Sequence, residues 1–266
     1  GETVAEKKNF ACFGDSITSD EVSGIGTTAA GVLGMNLIGN FAHGNATCSD
    51  WYNSDKRLTA VNFDIVPNQW HPDNVLSNQV LKLLRDTTPA GKSVCWTHPE
   101  CGEFSVNACG TGSIKSKPDV IYIAIGANDG KEEQGNATPI FDNCDDVFRQ
   151  KYSELTQKGI ASALRWAIET LKCAFEDCFI FVASPLQANS PYEPAAFGYA
   201  PLYQKRSIIK KVCEYCSVYF IDSFAQSGFS QTRVKTYGDE CGVHPIGKEK
   251  KRLAEFIAHK IEMELY

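Results

Sequence analysis

Short apolar runs alternate with amphipathic stretches along the chain, a pattern typical of strands that are each followed by a helix. The run over residues 120–125 is dominated by β-branched residues, which predicts a strand buried on both faces. Between the runs lie apolar residues at helical spacing, as in the stripe Ile160, Leu164, Ile168 and Leu171. The pattern predicts strands over residues 10–13, 35–38, 120–125, 179–183 and 218–221.

Strands that alternate with helices predict an α/β fold, here a three-layer α/β/α sandwich around a five-stranded parallel sheet. We expect residues 1–266 to form a single domain with an insertion at about residues 48–118, which includes a helix around Val80. The apolar stripe that begins at Leu253 predicts a last helix. Pro245, a residue suited to a first helical turn, places the start of that helix there.

The composition limits the class of function. The chain has 266 residues, of which 43% are apolar and 22% charged, so it can bury a sizeable core. Its net charge of −6 gives no support for a nucleic-acid partner, and the basic run at residues 248–252 is expected to be a solvated helix face. No stretch approaches the roughly 18 to 20 apolar residues of a membrane span, so none is expected.

Eleven cysteines are many for this length, and their number is odd. Cys48, Cys95, Cys101 and Cys109 fall in the inserted segment, where disulfide bridges would tie down irregular chain. Cys12 lies inside the first strand and is expected to be a buried thiol. The chain begins without Met, which indicates a trimmed product. Together with the cysteines, this favours an exported location, periplasmic or extracellular, over a cytoplasmic one.

The first strand ends in Gly14-Asp15-Ser16, the feature that says most about chemistry. A glycine lets the backbone turn sharply at the carboxyl edge of the sheet, where the serine hydroxyl is then presented as a candidate nucleophile. Serine needs a base to take its proton, and His244 is available near the other end of the chain. In the alternative interpretation, Asp15 and Ser16 only cap the next helix.

Two further turns follow predicted strands. The third strand ends in Gly126-Ala127-Asn128-Asp129, and Gly44 lies in the loop after the second strand. With Ser16, Gly44, Asn128 and His244 in that order, the chain resembles the SGNH (GDSL-like) hydrolase family over nearly its whole length. The resemblance implies a flavodoxin-like strand order and a serine esterase or acylhydrolase that uses no metal or organic cofactor.

By this resemblance, the backbone N–H groups of Ser16 and Gly44 and the side-chain amide of Asn128 would form an oxyanion hole. Their target is the negative oxygen that forms when an ester carbonyl is attacked, and the loss of one such donor costs about 3 to 4 kcal/mol. In the alternative interpretation, Gly44 is an ordinary turn residue and Asn128 makes an Asx turn that holds its own loop.

The sequence departs from the family pattern beside the histidine. Family members usually carry an aspartate three residues before it, where this chain has Cys241, and a neutral thiol is a poor partner for an imidazolium. Three interpretations are open. Asp239 reaches His244 through a bulged loop that Gly238 and Gly242 permit, or a backbone carbonyl orients the ring, or the site has lost its catalytic power. The first gives the candidate catalytic residues Ser16, His244 and Asp239.

The predicted function is hydrolysis of acyl esters through an acyl-enzyme, with carbohydrate esters as the first candidate substrate and lysophospholipids as the second. The alternative is a carbohydrate-binding or structural module of the same fold with a decayed triad. A loop over residues 187–202, which includes Tyr192, is a candidate rim of the site. The aromatic residues of the insertion either line a substrate pocket or pack a small core of their own. They are Trp51, Tyr52, Trp70 and Trp96.

Overall fold

A parallel five-stranded sheet forms the centre of the computed structural model, which describes residues 6–50, 75–131 and 140–266. The strands are β1 (Asn9–Gly14), β2 (Asn36–Asn40), β3 (Ser93–His98), β4 (Gly102–Cys109), β5 (Val120–Ala124), β6 (Phe179–Ala183) and β7 (Tyr219–Ile221). The sheet has the order β2-β1-β5-β6-β7, while β3 and β4 form a separate antiparallel hairpin. This flavodoxin-like order confirms the predicted fold class.

Helices cover both faces of the sheet. They are α1 (Ile25–Leu33), α2 (Leu76–Thr87), α3 (Cys144–Arg149), α4 (Ile160–Ala174), α5 (Pro194–Phe197), α6 (Tyr199–Cys216), α7 (Ser223–Gln226), α8 (Gln231–Tyr237) and α9 (Lys248–Leu265). Helices α1 and α9 pack together on one face, and α4 packs against α2 and α6 on the other. Within the described residues, no helix is both long and apolar enough to cross a membrane.

Alternate residues of the central strands fill two separate cores, because successive side chains of a strand point to opposite faces. In β5, Val120 and Tyr122 lie in the core beneath α1 and α9, whereas Ile121 and Ile123 lie in the core beneath α2, α4 and α6. Since both faces are covered, polar residues do not alternate with apolar ones here. This is why the strand could be predicted from a continuous apolar run.

The last helix starts later than predicted. It begins at Lys248 after Gly247, which has a φ of 56° and turns the chain into the helix. Pro245 lies before this turn and forms an isolated antiparallel bridge with Gly238. The prediction that Pro245 opens the helix is therefore wrong, because the proline closes the loop that carries His244.

The β3–β4 hairpin was not predicted from the sequence. Its buried face packs on α4, where the indole N–H of Trp96 donates to the Tyr152 hydroxyl at 2.9 Å and His98 lies 3.1 Å from Glu169. Trp96 thus packs in the main core rather than lining a pocket. The other three aromatic residues named for the insertion, Trp51, Tyr52 and Trp70, lie outside the described residues.

All eleven cysteines lie in described parts of the chain and are free thiols, so the predicted bridges in the inserted segment are wrong. Cys48 is buried, and its thiol lies 3.6 Å from the carbonyl oxygen of Ile160. Cys95 and Cys109 lie on facing strands, but their partners in the register are serines rather than each other. Cys12 is a fully buried thiol, as predicted.

Candidate active site

The turn at the end of β1 depends on a glycine. A Cβ at Gly14 would lie only 2.5 Å from the carbonyl oxygen of Ala124 on the neighbouring strand. The side-chain amide of Gln79, from α2, pairs with the same residue twice: it donates to the Gly14 carbonyl and accepts from the Gly14 N–H, both at 2.9 Å. The strand end is therefore fixed on both sides before the chain turns.

The residues after this glycine form a tight turn rather than a helix cap. The N–H groups of Thr18 and Ser19 both donate to the Asp15 carbonyl, at 3.1 and 2.9 Å. The N-cap residue of α1 is Gly24, so the interpretation that Asp15 and Ser16 cap the next helix is wrong. The turn presents the Ser16 hydroxyl at the carboxyl edge of the sheet, where ligands bind in open α/β folds.

Three of the predicted residues form a continuous hydrogen-bonded line. Ser16 Oγ lies 2.7 Å from His244 Nε2, and His244 Nδ1 lies 2.6 Å from Asp239 Oδ2. Because an ionised carboxylate only accepts, the proton of a neutral His244 ring lies on Nδ1, and Nε2 is left to accept from the Ser16 hydroxyl. This is the arrangement in which an imidazole can act as a base toward serine.

Asp239 is held as a carboxylate by its surroundings. Burial raises its pKa, but the hydrogen bonds from the His244 ring and from the backbone N–H groups of Val243 and His244 outweigh that effect, so the pKa is lowered. The two backbone bonds, each 3.1 Å long, end on Oδ1 and leave Oδ2 to the ring.

The loop between Gly238 and Pro245 brings the acid to the ring from five residues before it. Its Asp239 N–H donates to the His244 carbonyl at 2.8 Å, and Gly242, with a φ of 68°, donates back to the Asp239 carbonyl at 2.9 Å. Cys241, at the family's usual acid position, is an exposed free thiol in this loop. The bulged loop considered from the sequence is what the structure contains.

The two predicted oxyanion residues lie on loops that adjoin the Ser16 turn. The N–H of His43 donates to the Gly14 carbonyl at 3.1 Å, which places Gly44 beside the end of β1. Asn128 is buried at the end of β5, and its amide nitrogen donates to the carbonyl of Ala46 at 3.0 Å. The structure thus brings Asn128 against the Gly44 loop, and their roles as oxyanion donors stay predictions.

The loop predicted as a rim packs against the His244 loop. The N–H of Asn189 donates to the Gly242 carbonyl at 2.8 Å, and Phe197 and Val243 lie in one apolar cluster. Tyr192 remains 72% exposed at the edge of this loop. This loop therefore supports the backbone and the apolar side chain next to His244.

Sequence reasoning missed two fully buried charges behind the Asn128 turn. The Asp129 carboxylate accepts from the Cys48 and Ser49 N–H groups, both at 2.9 Å, and burial raises its pKa against the opposing charge of Lys205. Burial lowers the pKa of Lys205 to about 8, against the opposing charges of Asp129 and Asp15. A signal for Lys205 was present, because it occupies an apolar-stripe position of its helix, three residues after Leu202.

A second buried carboxylate, that of Asp15, adjoins the serine itself. Burial raises the pKa of Asp15 to about 6, although the N–H of Ile17 donates to it at 3.0 Å and the His244 charge favours its ionised form. Among the described residues, no group of three or more His, Cys, Asp or Glu side chains is placed to hold a metal ion.

Comparison with known proteins identifies the fold, but no match at the level of sequence identifies a family. No family model matches the chain, and no curated protein matches it. A carbohydrate acetylesterase from Sinorhizobium meliloti is 15% identical with a TM-score of 0.53, over 98% of this chain and all of that one. A lipase/acylhydrolase from Enterococcus faecalis is 14% identical with a TM-score of 0.53, over 97% and 96%.

A carbohydrate esterase family 2 enzyme of Corynascus thermopiles, solved with its carbohydrate-binding domain, is 16% identical with a TM-score of 0.55. That match covers all of this chain and 68% of the other. At these identities the likeness concerns the fold. The chain has the fold of SGNH hydrolases, which confirms the resemblance drawn from its four turns.

Proposed function

We propose that this chain is a serine ester hydrolase of the SGNH type in which Ser16 is the nucleophile. The observation that carries the proposal is the unbroken line from Ser16 Oγ through the His244 ring to Asp239, with contacts of 2.7 and 2.6 Å. Both lengths are those of strong hydrogen bonds, and the order nucleophile, base and carboxylate is the one that activates serine.

In the proposed reaction, Ser16 Oγ attacks the ester carbonyl and its proton moves to His244 Nε2. The imidazolium is stabilised by Asp239 and then gives the proton to the leaving alcohol, which departs as the acyl-enzyme forms. Water attacks the acyl-enzyme with His244 again as the base, and His244 then returns the proton to Ser16 Oγ as the bond to the acyl group breaks and the acid product leaves. Each step moves one proton through the same nitrogen.

The negative oxygen of each tetrahedral intermediate would accept from the backbone N–H groups of Ser16 and Gly44 and from the Asn128 amide. Asn128 has two amide N–H bonds, and its contact with Ala46 takes one of them, so the other is assigned to the oxyanion. Mutagenesis of such donors in other hydrolases gives about 3 to 4 kcal/mol for each.

Carbohydrate esters are the first candidate substrates and lysophospholipids the second. Two of the solved structures with this fold are described as carbohydrate esterases, which supports the first choice. Tyr192 supports it as well, since its exposed ring belongs to the loop that packs against the His244 loop and an aromatic face suits a sugar ring. Acetate release from an acetylated oligosaccharide, compared with fatty-acid release from lysophosphatidylcholine, decides between them.

The test of the nucleophile is covalent labelling with a fluorophosphonate, followed by peptide mapping. Ser16 should be labelled in the wild type, and Ser16→Ala should lose both the label and the hydrolysis of short acyl esters. Ser23→Ala is the matched control and should keep full activity, because it removes from the same turn region a buried hydroxyl that has no hydrogen-bond partner among the described residues.

Equal turnover by Ser16→Ala and the wild type would overturn the proposal. A folded wild type that neither reacts with fluorophosphonate nor hydrolyses any of several ester classes would favour the carbohydrate-binding or structural module instead. Binding of the unmodified oligosaccharide, measured by calorimetry, would then establish that alternative.

An exported location, which the number of cysteines favoured, belongs to this proposal. The free thiols of the structure do not support it. Non-reducing peptide mass spectrometry of the native protein is the test. Bridges among its cysteines would support export, and quantitative alkylation without a reductant would overturn it.

A further inference from the structure

Lys205 of α6 is a lysine with no exposed surface, which is rare for an ammonium group. Its Nζ donates to two backbone carbonyls, that of Ala127 at 2.8 Å and that of Ala196 at 2.9 Å. One carbonyl belongs to the turn after β5 and the other to the short helix α5. The side chain therefore ties the Asn128 turn to the helical layer behind it.

The residue on the other side of Asn128 is held just as firmly. Asp129 has no exposed surface, and its carboxylate accepts from the N–H groups of Cys48 and Ser49 and from the Ser49 hydroxyl. Asn128 itself donates to Ala46 in the same loop. Both neighbours of Asn128 are thus held by buried groups: the Ala127 carbonyl accepts from the Lys205 ammonium, and the Asp129 carboxylate accepts from Cys48 and Ser49.

Burying two charges is expensive, and stability alone does not account for them. A buried charge that is held by fixed hydrogen-bond partners is, however, suited to fixing one geometry, because any movement would leave the charge without those partners. The charges that act on Lys205 are those of Asp129 and Asp15, which favour its ionised form, and that of Lys131, which opposes it. Lys205 therefore interacts with this turn in two ways, through its attraction to the Asp129 charge and through its hydrogen bond to the Ala127 carbonyl.

We propose that Lys205 is a positioning residue that keeps the Asn128 amide aimed at the oxyanion by holding the carbonyl of Ala127 and balancing the Asp129 carboxylate. This inference rests on the proposed esterase function. It gives α6 a part in transition-state stabilisation in which Lys205 acts through Asn128 and does not itself contact the substrate.

A double-mutant cycle tests the proposal. Lys205→Met keeps the length of the side chain and removes its charge and donors, and Lys211→Met removes an exposed lysine from the same helix as a control. We expect Lys205→Met to lower kcat by about 10 to 100-fold with KM changed less than twofold, because only the transition state carries the oxyanion. Lys211→Met should match the wild type.

The decisive measurement is the same substitution in an Asn128→Ala background. If Lys205 acts through Asn128, the double variant should be no slower than Asn128→Ala alone. Effects that multiply instead would overturn the proposal, since they would show that Lys205 acts elsewhere. Unchanged kcat in folded Lys205→Met would overturn it as well.

Two further measurements keep the proposal testable if Lys205→Met fails to fold or the chain is not an esterase. In the wild type, kcat should fall as pH rises above about 8, where the buried ammonium loses its proton, and Asn128→Ala should lack that fall. Hydrogen exchange of residues 126–131 should be faster in Lys205→Met than in Lys211→Met. Equal exchange would refute the positioning role even if the absence of all turnover had already refuted the esterase.

Discussion

Asp239→Asn replaces one carboxylate oxygen by an NH₂ group and keeps the shape of the side chain. In the wild type, Oδ1 accepts from the backbone N–H groups of Val243 and His244, and Oδ2 accepts from the His244 ring. The two backbone donors will hold the amide oxygen of Asn at the Oδ1 position. The amide nitrogen must then face Nδ1 of the ring.

An amide N–H only donates, so Nδ1 has to accept and the ring proton moves to Nε2. That nitrogen faces Ser16 Oγ at 2.7 Å and can no longer take its proton. The corresponding substitution in serine-protease triads lowers kcat by about 10⁴-fold through the same tautomer. We expect a loss of similar size here, which corresponds to about 5 kcal/mol in the activation free energy.

The assay is steady-state hydrolysis of a chromogenic acetate ester, with circular dichroism and thermal unfolding on the same samples. Glu240→Gln is the matched control, because it removes the same charge from an exposed neighbour one residue along the loop. It should leave kcat within about twofold of the wild type, since an exposed charge at this distance is screened by solvent. Because the backbone bonds to Oδ1 are kept, Asp239→Asn should unfold close to the wild-type temperature.

A folded Asp239→Asn variant with kcat within tenfold of the wild type would refute this reasoning. It would mean that the Asp239 contact seen in the structure does not set the tautomer, and that a serine–histidine dyad oriented by a backbone carbonyl carries the reaction. A large loss that Glu240→Gln shares would instead point to the charge of the loop as a whole.

Three further substitutions near the site have testable effects. Asp15→Asn should raise the free energy of unfolding at pH 7 by up to about 3 kcal/mol, because burial raises the carboxyl pKa from 3.8 to about 6 and so penalises the ion. In chemical denaturation the gain should vanish below about pH 4, where both folded and unfolded wild type are protonated. Gly242→Ala should lower stability by at least about 2 kcal/mol and kcat more than tenfold, since φ is 68° and a Cβ would lie 2.1 Å from the Asn189 carbonyl oxygen. A wild-type melting curve for that variant would contradict this. Cys241→Asp should change kcat less than threefold in the same ester assay, because Asp239 already occupies Nδ1; a large rise would show that Asp239 is a poor acid.

The fold could be predicted because its strands carry their signal locally. The run through Val120 is apolar on both faces and ends in a glycine turn, and such a segment has few alternatives to a central parallel strand. The β3–β4 hairpin gave a weaker signal, since its exposed face bears serine, cysteine and threonine, and its turn was hidden among the residues of a long insertion. The prediction of disulfide bridges was wrong because the number of cysteines does not show how far apart their sulfur atoms lie in the fold.

The site could be predicted as far as single residues at strand ends reveal it. Ser16 and His244 were found because glycine turns mark the positions where side chains reach the sheet edge. Lys205 and Gln79 were not found, because their roles are to satisfy backbone groups of distant turns, and a sequence does not show which carbonyl will need a donor. The choice of Asp239 over a backbone carbonyl likewise depended on the shape of one loop.

That loop divides the assembly of the triad into two events of very different entropy. The acid and base are five residues apart and are joined by contacts within residues 238–245, so closing that loop restricts only a short piece of chain. The contact between Ser16 and His244 spans 228 residues and forms only when the whole sheet is in place. A partly folded chain can therefore contain the complete pair of Asp239 and His244 and still lack Ser16 beside it, so the proposed nucleophile meets its proposed base only when folding is finished.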